Sequence, residues 1–443
     1  MSRAILIGLA FLQTAVAFSE DNACYAARRK ALMAKIGSAV AVLQGAPDTR
    51  AYTAFRQDNN FYYLTGVEVP DALLLLDGSQ NRSILFLPGR NQESERWEGA
   101  RLLPGTDARR RTGIDEVLDL DQFGSELEKR AGALRVLYVP FSPQETAATS
   151  RDRALEHDSA RQRDPWDGRS SRESAFENSL KVRLGPSVQI RNLAPAIDGL
   201  RRVKDAQEIE LLRRAGSIGA LGMKEAIRTA KPGMFEYQVA ATAEYHFSWQ
   251  GASGPAFHPI VGSGPNSCMP HYGQNRRRMA AGDIAVFDFG PDYRYYQADI
   301  TRTFPVSGRF TEEQAKAYQA VLDAQTAALE RVRPGATFEA LNEAVQGVLD
   351  RHGYARYQMH AVSHYVGMSV HDVGDPTAFE PGVVIAVEPG IYIPERNLGV
   401  RIEDTVLVTQ DGCEVLTKEV PKEIRDIEAL MSGKHLRNAA AKE

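Results

Sequence analysis

Cysteine is nearly absent from this chain: its 443 residues include three, Cys24, Cys268 and Cys413, all far apart. So odd and sparse a count excludes a disulfide framework and leaves room for one bridge at most. An excess of charge of one sign is also lacking. A formal net charge of −4 gives neither nucleic acid nor an anionic membrane surface a reason to bind. The chain contains no G-x-S-x-G, so a serine hydrolase of that type would lack its nucleophile elbow. Val261 to Ser267 (VGSGPNS) holds a G-x-G but no third glycine, and runs into Cys-Met-Pro instead of a helix, a pattern that argues against dinucleotide binding.

What remains is the composition of an ordinary globular protein, 43% hydrophobic and 25% charged, long enough for two or three domains and a large core. Met1 to Ala17 reads as a signal peptide: Arg3 opens it, Ala4 to Val16 is apolar, and Ala15-Val16-Ala17 fits an A-x-A cleavage site. That run is too short to span a membrane comfortably. The expectation is an exported protein, periplasmic or secreted, with no stable membrane span after processing. Residues 23–145 alternate a basic helix near Ala26 to Ile36 with strands near Ala39 to Leu43, Ala72 to Leu76, Ser83 to Leu87 and Arg135 to Val139, the pattern of a smaller α/β domain. Within it, the aromatic-rich Phe55 to Gly66 is expected at an interface or a pocket, or else in ordinary core. Thr146 to Asn178 is rich in Ser, Arg and Asp, so residues 146–195 read as an exposed insertion or helical linker. A second domain follows over 196–432, opening on a helical pattern for which Asp205 can serve as cap.

This second domain is organised around two acidic hairpins. In Gly282 to Pro305, Asp283 to Phe289 and Ala298 to Phe304 read as strands, and Pro291-Asp292 as turn punctuation. Asp288 and Asp299 are symmetric about the point between Tyr293 and Arg294. Facing each other there, with Cβ atoms roughly 5 Å apart, they would repel unless a cation lay between them. The motif recurs: GDIAVFDFG from Gly282 matches GVVIAVEPG from Gly382, and Glu388 and Glu403 are symmetric about Glu395-Arg396. Upstream, TAKPGMFEYQVAATAE resembles RVRPGATFEALNEAVQ, with the Pro-Gly pairs 102 residues apart. The spacing predicts an internally duplicated α+β domain whose halves each offer a carboxylate pair to a shared centre.

Six of the nine histidines lie in the first or last third of this domain: His246, His258, His271, His360, His364 and His371. Three of them fall within twelve residues, and spacing does not say which would bind metal. Four carboxylates and one neutral imidazole would balance two divalent ions, an oxygen-rich set suited to Mn²⁺, Co²⁺, Mg²⁺ or Zn²⁺. A water bridging two such ions becomes a hydroxide nucleophile near neutral pH, and a neighbouring carboxylate can pass its proton to a leaving amine.

VGSGPNSCMPHY, VFDFGPDYRYYQADITRTFPVSG, SHYVGMSVHDVG, VEPGIYIP and GVRIED resemble the ordered blocks of the pita-bread metallopeptidases, aminopeptidase P and prolidase. YAARRKALM, FRQDNNFYYLTGVEVPDALLLL and LFLPGRNQESERWEGARL resemble the amino-terminal domain of the same enzymes. The resemblance implies a pita-bread catalytic domain preceded by that smaller domain. It implies Asp288, Asp299, His364, Glu388 and Glu403 as ligands of two metal ions, commonly Mn²⁺, with Glu388 also moving the proton. His271 and His371 would hold the substrate, His360 would line the pocket, and Tyr392 and Arg401 would support the site. It further implies hydrolysis of an amino-terminal Xaa-Pro bond and a homo-oligomer, dimer or tetramer. The stretch between His371 and Pro381 lacks the arginine with which many prolidases grip a dipeptide, which favours aminopeptidase P. A prolidase and a non-catalytic peptide-binding protein on the same fold are the alternatives.

Overall fold

A computed structural model describes residues 22–49, 53–131, 135–145 and 150–433. The signal peptide expected over Met1 to Ala17 lies outside the described residues. The chain divides into two compact units, one reaching Leu200 and the other running from Arg201 onward.

The first unit is built on a six-stranded sheet. Its strands are β1 (Val40–Gln44), β2 (Leu73–Asp77), β3 (Arg82–Leu87), β4 (Glu116–Asp119), β5 (Val136–Val139) and β6 (Gln189–Asn192), in the order β4-β3-β2-β1-β5-β6. Its middle strand β2, LLLLD, is buried along its whole length, as a strand covered on both faces must be. Val40, Val42, Leu75, Ile84, Phe86 and Leu137 form the core. Within Phe55 to Gly66, Asp58 caps a helix over Asn59–Thr65 whose Phe61 and Leu64 are buried, while Asp58 and Asn60 line a cavity. The expected insertion over 146–195 needs correction where it is described. Its helices, Arg151–Arg163 and Arg172–Leu184, fit a helical segment, but it belongs to the first unit and supplies β6, which pairs in parallel with β5. Its polar composition reflects helices with little apolar face. Leu180 and Val188 nevertheless join the core of the sheet.

The second unit is duplicated. Asp205 forms a capping box with Glu208 and starts α1 (Ala206–Thr229), followed by α2 (Glu236–Trp249). In the second half, α3 (Glu312–Leu329) precedes α4 (Phe338–Arg351), and α4 repeats the bounds of α2 at an offset of 102. Two sheets carry the same arrangement. β8 (Ile260–Ser263), β9 (Ile284–Phe289) and β12 (Ile300–Pro305) have β9 in the middle. β13 (Ser363–Tyr365), β14 (Val384–Val387) and β17 (Asp404–Val408) have β14 in the middle, with β18 (Cys413–Val415) beyond. Short ribbons extend each hairpin, β10 (Pro291–Tyr293) with β11 (Tyr296–Gln297) and β7 (Gly254–Pro255), and β15 (Gly390–Ile393) with β16 (Leu398–Arg401). One apolar core, including Phe247, Phe287, Phe289, Tyr318, Ile391 and Val406, joins the halves. Among the described residues none of the three cysteines forms a disulfide, and no helix is long and apolar enough to cross a membrane.

The register corrects one expectation. Glu388 and Glu403 continue the ladder in which Val387 faces Asp404 and Gly390 faces Arg401, so those two acids do stand opposite each other. In the first hairpin Asp288 faces Thr301, not Asp299. The turn sits one residue later than expected, at Arg294 and Tyr295, both with positive φ (50° and 74°) as a two-residue hairpin loop demands. Pro291 and Asp292 lie in β10 instead of the turn. The pairing is therefore offset by two residues, and an even offset keeps Asp288 and Asp299 on one face as diagonal neighbours. Gly290 occupies the position facing Asp299, where a Cβ would lie 1.6 Å from the Ala298 carbonyl oxygen.

Candidate metal centre

Strand ends bring the acids together. Asp288 is the penultimate residue of β9, Glu388 follows β14, and Asp299 and Glu403 immediately precede β12 and β17. Backbone bonds fix these points: Glu388 N–H donates to Val362 O (2.8 Å) and Glu403 N–H to Thr301 O (3.0 Å). The seam between halves is clasped symmetrically by two threonines 102 residues apart. Thr405 Oγ1 accepts from Asp299 N–H (2.9 Å) and donates to Asp299 O (2.9 Å). Thr303 Oγ1 accepts from Arg401 N–H (3.0 Å) and donates to Arg401 O (2.8 Å).

His364 comes from β13. Its Nδ1 lies 3.0 Å from Tyr365 O, which only an N–H can satisfy, so Nε2 is left with its lone pair. That nitrogen points at three carboxylates, 3.5 Å from Glu388, 3.6 Å from Asp299 and 3.9 Å from Glu403. Potential ligand atoms of Asp299, His364 and Glu403 all lie within 4.8 Å of one another. Burial lowers the imidazole to about 4, so it is neutral at pH 7.

The donors fit divalent cations on a direct structural ground. Asp288 Oδ1, Asp299 Oδ1 and Glu403 Oε1 are buried without a hydrogen-bond partner. Such groups are costly unless something absent from the polypeptide satisfies them. Burial raises Asp299 and Glu403 well above the ordinary carboxylate range. Glu403, Asp288 and Glu388 add repulsion to Asp299, and Glu388 and Asp288 add it to Glu403. Burial and Asp288, against the pull of Arg401, bring Glu388 to about 8. Four carboxylates in one pocket with one nearby guanidinium are short of positive charge, which divalent ions would supply.

Asp404, adjacent in sequence, shows the opposite state. It accepts from Arg302 (2.7 Å), Thr417 (2.7 Å), Gln325 (3.1 Å) and Lys422 (3.1 Å). Burial pushes its carboxyl up, but Arg302 and Lys422 outweigh that and hold it below the usual range. It is saturated and has no oxygen to offer.

Around the acids, Arg401 donates to Asp288 Oδ2, to Tyr392 Oη (2.9 Å) and to Thr301 Oγ1 (3.1 Å). Tyr392 Oη is 2.8 Å from His360 Nε2, and His360 Nδ1 is 2.9 Å from Ala361 O. The carbonyl requires the proton on Nδ1, so Tyr392 accepts from Arg401 and donates to His360. Burial, partly offset by Arg401, pushes Tyr392 up to about 12 and keeps that proton in place. His371 stacks on His364 with ring centroids 3.8 Å apart. His271 and His371 are both exposed, and His271 acts electrostatically on His360. The structure thus gathers Asp288, Asp299, His364, Glu388 and Glu403 with Arg401, Tyr392 and His360, and places His371 against the His364 ring. Thr301 and the Thr303/Thr405 clasp escaped sequence reasoning, because threonine in a strand reads as a β-former. The 102-residue repeat could have flagged Thr301, which it aligns with Glu403.

A duplicated fold that converges these acids and a neutral imidazole on one pocket defines a metal-dependent hydrolase. The chain belongs to metallopeptidase family M24, whose profile matches residues 210–410, while that of the aminopeptidase P amino-terminal domain matches 25–138. It is 34% identical to the Xaa-Pro aminopeptidase of Escherichia coli (strain K12) over 91% of this chain and 96% of that one. It is 39% identical to the Xaa-Pro dipeptidase of Pyrococcus furiosus over 52% of this chain and 67% of that one. Among solved structures, a putative aminopeptidase P from Bacillus anthracis superposes with a TM-score of 0.84 at 30% identity, covering 94% of this chain and 99% of that one. The protein is a metalloaminopeptidase with the two-domain architecture of aminopeptidase P.

Proposed function

We propose that the enzyme removes the amino-terminal residue from peptides with proline in second position, using two divalent ions held by Asp288, Asp299, His364, Glu388 and Glu403. The observation that carries this reading is the convergence of three unpartnered buried carboxylate oxygens with the lone pair of His364. Bound ions would polarise the scissile carbonyl and lower the pKa of the attacking water. Mn²⁺ suits the oxygen-dominated donor set. Glu388, at 17% side-chain exposure the most accessible of the five, takes the water's proton and delivers it to the leaving amine. His371, stacked on His364, and His271, which acts on His360, are exposed and hold the peptide backbone. His360, oriented by Tyr392 and Arg401, lines the pocket. Aminopeptidase relatives aligned over nearly the whole chain, and the absence of arginine between His371 and Pro381, favour longer peptides over dipeptides.

Hydrolysis of Ala-Pro-Ala and of Ala-Pro, each before and after chelation and Mn²⁺ readdition, tests the reading. It predicts metal-dependent release of alanine from the tripeptide; cleavage of the dipeptide alone would identify a prolidase, and indifference to chelator would reject the mechanism. Export and self-association belong to the same proposal. Amino-terminal sequencing of the mature protein should find residue 18 first, and light scattering should find a dimer or tetramer.

A further inference from the structure

We propose that Thr301 is a positioning residue that aims Glu403 at the metal centre; the inference rests on the metal-dependent reading above. Thr301 is wholly buried. Its hydroxyl meets two groups, Glu403 Oε2 at 2.7 Å and Arg401 Nε at 3.1 Å. Arginine can only donate, so Thr301 accepts from Arg401 and its single proton goes to Glu403. One oxygen of Glu403 is thereby occupied, and the other, Oε1, is the one left unpartnered and directed toward His364. The same guanidinium occupies Asp288 Oδ2 and leaves Asp288 Oδ1 unpartnered. Thr301 and Arg401 together fix one oxygen on each of two acids drawn from different halves, and free the other for a cation.

The backbone prevents this bracket from drifting. Glu403 N–H donates to Thr301 O, and Arg302 Nη1 donates to both Thr301 O (2.9 Å) and Glu403 O (2.6 Å). The duplication explains the origin of the pair. Asp288 faces Thr301 in the first hairpin as Glu388 faces Glu403 in the second, and Gly290 and Asp299 correspond to Gly390 and Arg401. Thr301 and Glu403 are therefore equivalent positions that meet at the seam. One carries a ligand and the other carries the hydroxyl that orients it.

Thr301→Val keeps the β-branched shape and removes only the hydroxyl; Thr301→Ser keeps the hydroxyl and removes a methyl. Calorimetric titration of chelator-treated full-length protein with Mn²⁺ is the deciding measurement, with circular dichroism as a check on folding. Thr301→Val should weaken Mn²⁺ binding roughly 10- to 100-fold, the usual effect of losing a group that orients a ligand. Thr301→Ser should bind close to wild type. The Mn²⁺ concentration for half-maximal peptidase activity should rise by the same factor in the valine variant, with KM for the peptide at saturating Mn²⁺ unchanged, which a merely structural defect would not produce. Wild-type Mn²⁺ affinity in folded Thr301→Val, or equally weak binding by folded Thr301→Ser, would overturn the inference. Should valine prevent folding, Thr301→Ala takes its place with the same expected loss. Failure of the wild-type protein to bind Mn²⁺ would instead refute the underlying reading.

Discussion

Replacing Glu388 by glutamine should stabilise the metal-free protein while abolishing hydrolysis, and the gain should depend on pH. Burial raises the Glu388 carboxyl, Arg401 draws it down and Asp288 raises it again, to about 8 in the fold against an ordinary 4.5. Below pH 4.5 folded and unfolded chains both carry the proton, and the group is silent. Between 4.5 and 8 the folded state keeps a proton that the unfolded state has released. Each unit of rising pH then costs the fold about 1.4 kcal/mol. At pH 7 the deficit is about 3 kcal/mol, and glutamine, equal in shape but unable to ionise, does not incur it. At roughly 2–4 °C per kcal/mol for a domain of this size, metal-free Glu388→Gln should melt about 6–12 °C above metal-free wild type at pH 7. At pH 4.5 the two should coincide. Scanning calorimetry of chelator-treated proteins across this range is the assay. A variant that melts with wild type at every pH, or gains as much at pH 4.5 as at pH 7, would refute the view that this acid is stranded without a cation. In excess Mn²⁺ the order should reverse, because ions stabilise only the protein that binds them.

Asp404→Asn should cost about 3–5 kcal/mol in urea unfolding, because it leaves the buried Arg302 without its carboxylate; folded variant should keep its full Mn²⁺ stoichiometry. Gly290→Ala should cost about 3 kcal/mol by the same assay, since the new Cβ meets backbone and not a movable side chain. Tyr392→Phe retains the buried ring but breaks the link from Arg401 to His360, so kcat/KM should fall roughly 10- to 100-fold with little change in Tm.

Much of the architecture was legible because a duplicated chain states its plan twice. The Pro-Gly pairs at 232 and 334 foreshadow α2 and α4, and the symmetry of Glu388 and Glu403 matches their register. The first hairpin was misjudged by two residues because its turn is formed by Arg294 and Tyr295, neither a residue that advertises positive φ. The error was harmless to the site because two residues return a strand to the same face. Residues 151–192 misled through composition: polar helices and a short edge strand resemble a linker when their partner strand lies fifty residues upstream. Among the histidines, spacing alone could not single out His364. What distinguishes it is the target of Nε2, three carboxylates for His364 against the Tyr392 hydroxyl for His360, which a linear pattern does not contain. The threonines at 301, 303 and 405 were hidden for a related reason, since their work is done across the seam between halves.

Diffraction at the manganese absorption edge, from crystals grown with Mn²⁺, tests the central claim most directly. The account predicts two anomalous peaks among Asp288, Asp299, His364, Glu388 and Glu403, and none beside Asp404. No peak among those five residues, or peaks only elsewhere, would contradict it.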